Sequence, residues 1–169
     1  VLTPGRFADG LAVVIEGGRI AAVVPDDQVP PDAEDRDLAG ATLVPGFIDC
    51  QVNGGGAVLF NESPTIEAIA AIGAAHRQFG TTGFLPTLIS DDLAVVRQGI
   101  EAVDAAIAAG VPGVLGIHIE GPFLNADRKG IHDESKFREL DAQGLATITA
   151  LKHGRSLVTL APERTTPAM

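Results

Sequence analysis

Two chemically capable side chains stand two residues apart in GIHIEGPFLN, residues 116–125: His118 and Glu120. In an extended segment such a pair faces one way, while Ile117 and Ile119 face the other and can pack beneath helices. The run is otherwise apolar, and Gly121-Pro122 ends it abruptly. A carboxylate in that setting is costly to desolvate unless something pairs with it. A divalent cation such as Zn²⁺, which accepts carboxylate oxygens, is one partner. An ordinary ion pair at a strand end explains Glu120 equally well, because a metal centre needs three or four ligands and this stretch offers one or two.

Gln51 and Asn53 repeat the same-face spacing just before the glycine run Gly54-Gly55-Gly56. Neutral amides are weak transition-metal ligands beside imidazole or thiolate. They are good hydrogen-bond partners for a water or a substrate carbonyl. The plainer alternative is a pair of turn-forming polar residues. His132 lies in DRKGIHDES, residues 127–135, beside Arg128 and Lys129; it could orient a polar substrate or be a solvated loop residue. His76 and His153 read as residues of helix surfaces and ends. Cys50 has no histidine nearby in sequence to activate it, and there is no Ser-His-Asp signature.

The elements that must carry these groups follow from periodicity. LAVVIEGGRIAAVV, residues 11–24, is two β-rich runs around Gly17-Gly18, a hairpin pattern. The Pro- and Asp-rich stretch 25–40 reads as a surface connection with room for a short strand. From residue 41 strands and helices alternate. TLVPGFIDCQV (42–52) is a strand, and Ser63 with Pro64 starts a helix through Phe79, with Ile66, Ile69, Ile72 and Phe79 in one stripe. TTGFLPTLIS (81–90) is a strand with Pro86 as a local irregularity. Ser90 is read as the cap of a helix on which Leu93, Val96, Ile100, Val103 and Ile107 step by three and four. VLGIHIE (114–120) is the third strand, a polar loop fills 121–140, a helix spans 141–153, and SLVTLAPE (156–163) is the fourth strand.

Four strands alternating with three helices predict an α/β chain with a parallel sheet, either doubly wound or part of a (β/α)₈ barrel. In both, chemistry gathers at the carboxyl ends of the strands, where Gln51, Asn53 and Glu120 fall. Nucleotide loops of the GxGxxG or GxxxxGK[ST] type are missing. Across the 169 residues the formal charge is −10, with 46% hydrophobic and 20% charged residues. That balance argues against a nucleic-acid surface. No apolar run approaches the ~20 residues that span a bilayer, and a single cysteine excludes an internal disulfide. The expectation is a cytoplasmic globular protein, with both ends cut from a longer chain.

LVPGFIDCQVNGGGAVLFN (43–61), GTTGFLPTLIS (80–90) and GIHIEGPFLNADRKGIHDE (116–134) together resemble the N-acetylglucosamine-6-phosphate deacetylases of the amidohydrolase superfamily. VTLAPE (158–163) is similar to the same family's next strand. The resemblance implies a (β/α)₈ TIM-type barrel, incomplete here and begun by residues 41–169, with residues 1–40 forming part of a small β-sandwich. It implies one divalent ion, expected to be zinc, with Glu120 as a metal ligand. Ile131, through its backbone, and His132 fall where that family meets substrate, and Gln51-Val52-Asn53 stands where binuclear relatives have His-X-His. The implied reaction is hydrolysis of N-acetylglucosamine 6-phosphate to glucosamine 6-phosphate and acetate, in a protein expected to be a homodimer with no nucleic-acid or membrane partner. The family's two further metal-binding histidines and its aspartate base fall beyond residue 169, so the segment alone is expected to be inactive. A different N-acetyl sugar phosphate, or a sugar-phosphate-binding scaffold without chemistry, are the alternatives.

Overall fold

Gly17 and Gly18 adopt φ of 55° and 74°, the left-handed pair that a tight two-residue hairpin turn requires. In the computed structural model, which describes residues 1–169, they join β3 (Leu11–Glu16) to β4 (Arg19–Pro25), paired antiparallel with Glu16 opposite Arg19. Two short strands precede them, β1 (Leu2–Thr3) and β2 (Arg6–Phe7), also antiparallel. The acidic stretch that follows forms only a 3₁₀ turn, Asp26–Gln28. The short strand considered there is absent, as suits a segment in which Pro25, Pro30 and Pro31 cannot donate to a ladder. Val1–Pro45 make up one compact unit and Gly46–Met169 a second.

The second unit begins with β5 (Phe47–Val52), followed by a small antiparallel pair, β6 (Gly54–Gly55) and β7 (Val58–Leu59). Then come α1 (Ile66–Arg77), β8 (Thr81–Leu88), α2 (Leu93–Ala108), β9 (Gly116–Glu120), α3 (Ala142–Ile148) and β10 (Arg155–Thr159). Strands β5, β8, β9 and β10 form one parallel sheet in chain order, each crossover passing through a helix. α1 packs on α2 and α2 on α3, so the helices line up along one face. Ile117 and Ile119 of β9 are fully buried with Val96, Ile100 and Val103 of α2. Each such side chain contributes about 2 kcal/mol by leaving water. The opposite face of β9 carries His118 and Glu120.

The first and last strands of the sheet are shorter than the expected 42–52 and 156–163, at Phe47–Val52 and Arg155–Thr159. All three α-helices have ends that differ from the sequence expectation, each for a physical reason. α1 starts after Thr65, whose hydroxyl accepts from Ala68 N–H at 3.2 Å, and stops at Arg77. Phe79 therefore leaves the apolar stripe and is 82% exposed, because the chain turns at Gly80 (φ 94°) into β8. Asp92, not Ser90, occupies the N-cap position of α2, without a side-chain cap bond; the Ser90 side chain is buried and turned toward His132. α3 ends at Ile148 rather than His153. Asp104 of α2 accepts from the backbone N–H of Lys152 (3.0 Å) and His153 (2.8 Å), which draws both residues away from a helical path.

Candidate functional site

The β5–β8 ladder loses register between Asp49 and Val52, and side chains take up the freed backbone donors. Asp49 Oδ1 accepts from Gln51 N–H at 3.0 Å, and Thr87 Oγ1 accepts from the buried Val52 N–H at 2.9 Å. This irregular end of β5 places Gln51 where its Nε2 donates to Glu120 Oε2 at 3.0 Å, across 69 residues of sequence. The other carboxylate oxygen, Oε1, lies 3.7 Å from His132 Nε2. Glu120 is thus neither turned out to bulk water nor locked to an arginine. Its side chain is 21% exposed, open toward a cavity of about 330 Å³.

That cavity is lined by Gln51, Asn53, Leu59, Asn61, Ile89, Glu120, Ile131 and His132. Of the residues singled out from sequence, Gln51, Asn53, Glu120, Ile131 and His132 line it, contributed by the end of β5, the end of β9 and the loop beyond, whereas His118 does not. A second hollow of about 250 Å³ lies between α2 and α3, lined by Arg97, Glu101, Asp104 and Lys152 among others. It is on the helix side, away from the strand ends where parallel α/β architectures assemble chemistry.

His132 is buried, so the solvated reading is set aside. Its Nδ1 receives the Ser90 backbone N–H at 3.2 Å and lies 2.8 Å from Ser90 Oγ. Ile131 beside it is 87% exposed at the cavity rim. The loop that holds both is pinned by Lys136, whose ammonium reaches Asp92 at 2.5 Å and Asp91 at 3.7 Å. The bond to Asp92 raises the Lys136 pKa. Asn61 steadies the opposite wall: its amide accepts from Ile89 N–H at 2.9 Å and donates to Asp91 Oδ2 at 3.1 Å.

Beneath the cavity a polar row crosses the sheet. Thr87 Oγ1 accepts from Val52 and donates to Leu85 O at 3.1 Å. With that proton used, the 3.4 Å contact to His118 Nδ1 is made by the imidazole N–H. His118 Nε2 then accepts from the Thr159 hydroxyl at 2.8 Å. Burial lowers the His118 pKa and the Glu120 charge opposes that shift; the ring stands neutral and ties β8, β9 and β10 together below Glu120.

Asn53 presents a buried amide nitrogen with no hydrogen-bond partner, an uncompensated donor in the cavity wall. An unmade hydrogen bond of this kind costs about 1–3 kcal/mol and favours a ligand or water oxygen. For a cation, Glu120 fits one oxygen-ligand position. No group of three or more His, Cys, Asp or Glu is gathered to complete a coordination sphere, so the donor set of this chain is partial. Sequence reasoning missed Ser90, Asn61, Thr87 and Thr159. Their partners lie 28 to 42 residues away, and no local pattern registers such contacts.

The NagA composite domain family matches residues 5–43. Over 169 residues the chain is 40% identical to an N-acetylgalactosamine-6-phosphate deacetylase of Shewanella sp. (strain ANA-3), covering 99% of this chain and 43% of that protein. It is 34% identical over 129 residues to an N-acetylglucosamine-6-phosphate deacetylase of Haemophilus influenzae, covering 76% of this chain and 34% of that protein. A crystal structure of N-acetylglucosamine-6-phosphate deacetylase from Pasteurella multocida superposes with a TM-score of 0.87 at 30% identity, over 93% of this chain and 41% of that one. The chain spans less than half the length of each of these relatives.

Proposed function

We propose that this chain is part of an N-acetylglucosamine-6-phosphate deacetylase, a reading supported by its similarity to such proteins over most of its own length, and that the whole protein hydrolyses N-acetylglucosamine 6-phosphate to glucosamine 6-phosphate and acetate. The observation that carries the reading is convergence: Gln51, Asn53, Glu120, Ile131 and His132 line one cavity at the carboxyl ends of parallel strands. The 40% identity to an N-acetylgalactosamine-6-phosphate deacetylase supports a second reading, the epimeric sugar.

In this proposal residues 41–169 begin a (β/α)₈ barrel and residues 1–40 belong to a small β-sandwich. Sequential strand order with helices along one face supports the barrel over a doubly wound sheet, in which the chain returns to build outward from the first strand. β5 and β10 are the sheet's edges, and Phe47, Ile48 and Leu157 on them are exposed. Such edges are covered by further strands when a barrel closes.

Glu120 is the ligand this chain contributes to a divalent ion, proposed to be zinc, and Gln51 fixes the carboxylate by holding Oε2. When bound, such an ion lowers the pKa of its water and polarises the acetamide carbonyl. The free amide N–H of Asn53 donates to an oxygen of that water or of the substrate. His132, and Ile131 through its backbone, contact the sugar phosphate at the rim. The protein is proposed to work in the cytoplasm as a homodimer on a small-molecule substrate, with residues 1–169 inactive alone. The test is acetate release by the metal-loaded full-length protein from both sugar phosphates, beside the 1–169 segment. Release by the full-length protein alone is expected; no release from either sugar overturns the proposal.

A further inference from the structure

Ser90 directs two donors at one atom. Its backbone N–H lies 3.2 Å and its hydroxyl oxygen 2.8 Å from His132 Nδ1. A backbone N–H can only donate, so Nδ1 is the acceptor and the imidazole proton sits on Nε2. Nε2 is the nitrogen that faces Glu120 Oε1, at 3.7 Å, beside the cavity. At that separation the carboxylate does not consume the N–H, which remains available to an incoming acceptor.

The space for this arrangement is made at the residue after Glu120. Gly121 has φ 84°, and a Cβ built on it would overlap Ser90 Oγ. The missing side chain thus lets the hydroxyl sit between the end of β9 and the imidazole. Ser90 and His132 are both buried, so water does not compete for Nδ1. Phe137 also lies beside the ring, with centroids 6.3 Å apart.

We propose that Ser90 is a positioning residue that holds His132 as its Nε2–H tautomer, presenting a fixed hydrogen-bond donor to the substrate beside Glu120. The catalytic part of this inference rests on the deacetylase reading; the tautomer does not. It also accounts for a serine in the β8–α2 connection whose hydroxyl does not cap the helix.

The experiment uses the full-length protein with ¹⁵N-labelled histidine, His132 being assigned by its loss in His132→Gln. The wild-type His132 signals are expected to show an unprotonated Nδ1 and a protonated Nε2. Ser90→Ala removes the hydroxyl and keeps the backbone donor. It is expected to shift the Nδ1 signal as one of its two donors is lost, while the backbone N–H keeps the proton on Nε2. The less firmly held ring is expected to raise KM about fivefold with kcat within about twofold. Ser90→Thr, which keeps the hydroxyl, is expected to stay close to wild type in spectrum and KM. A wild-type proton on Nδ1 overturns the proposal without recourse to any variant. So does Ser90→Ala with an unchanged spectrum, whatever its KM, or with a changed spectrum and unchanged KM. Should the wild type release acetate from neither sugar, the deacetylase reading fails while the spectra still decide the tautomer.

Discussion

Replacing Thr87 by valine tests whether the irregular end of β5 is held by a side chain, as the geometry indicates. Valine has nearly the same shape, so the change removes a hydroxyl and little else. Thr87 is fully buried, and its oxygen is the partner of the Val52 N–H at 2.9 Å, where the β5–β8 ladder has slipped. Val52 itself is 2% exposed, so water cannot replace the lost acceptor. An orphaned buried donor costs about 1–3 kcal/mol. The Leu85 carbonyl and His118 Nδ1 each lose a contact as well, while the new methyl group returns part of that in burial. A net destabilisation of about 2 kcal/mol follows, read as a lowered unfolding midpoint. Thr87→Ser keeps the hydroxyl and loses one methyl, at about 1 kcal/mol. Thermal unfolding of the full-length protein and its two variants reads the ranking. A valine variant as stable as wild type would show that Val52 N–H has another partner and that the slipped register is not held by Thr87.

Three residues give further expectations. Gly99→Ala should destabilise by about 1 kcal/mol, read by urea unfolding. The new Cβ meets the buried Leu88 Cδ1 at 2.5 Å, and overpacking of about 1–3 kcal/mol outweighs the ~1 kcal/mol that alanine gains in a helix; unchanged or higher stability would contradict this. The carboxyl of Asp141 is held below its ordinary pKa, chiefly by Gly144 N–H at the start of α3 and further by Arg138. A lowered folded pKa means its contribution is complete above the unfolded value of 3.8 and is lost as pH falls through the folded pKa. The stability gap between wild type and Asp141→Asn should therefore close on acidification below pH 4, and a gap independent of pH would exclude the ionised cap. Thr65→Ala should cost about 1 kcal/mol by removing the cap on Ala68 N–H, and no change in unfolding midpoint would show that cap to be idle.

The parts of the fold readable from sequence were those written in local periodicity. Leu93, Val96, Ile100 and Val103 step around α2 and all four are buried, because a helix facing one sheet must repeat its apolar residues at that interval. Gly17-Gly18 likewise announced a turn that only positive φ allows. Ends were less legible. Phe79 continues the spacing of α1, yet Gly80 turns the chain first; Ser90 looks like a cap because serine commonly is one, yet its partner is His132, 42 residues on. At the site, the alternation within β9 put His118 and Glu120 on one face, but nothing local distinguishes their surroundings. His118 is enclosed by Thr87 and Thr159, whereas Glu120, one step farther, opens on the cavity. The Gln51–Glu120 bond spans 69 residues and depends on neighbouring strands being in register, which sequence spacing does not record. The resemblance to a known family carried the pairing of these segments; periodicity alone could not.

The most direct test of the account is the metal content of the full-length protein and its Glu120→Gln variant, purified side by side and measured by elemental analysis. Gln51 and the cavity wall are left in place by this change, so a folded variant isolates the carboxylate. The account predicts a divalent ion bound to the wild type and lost from Glu120→Gln, together with acetate release. Wild-type metal retained in a folded Glu120→Gln variant would remove Glu120 from the ion's ligands and contradict the account.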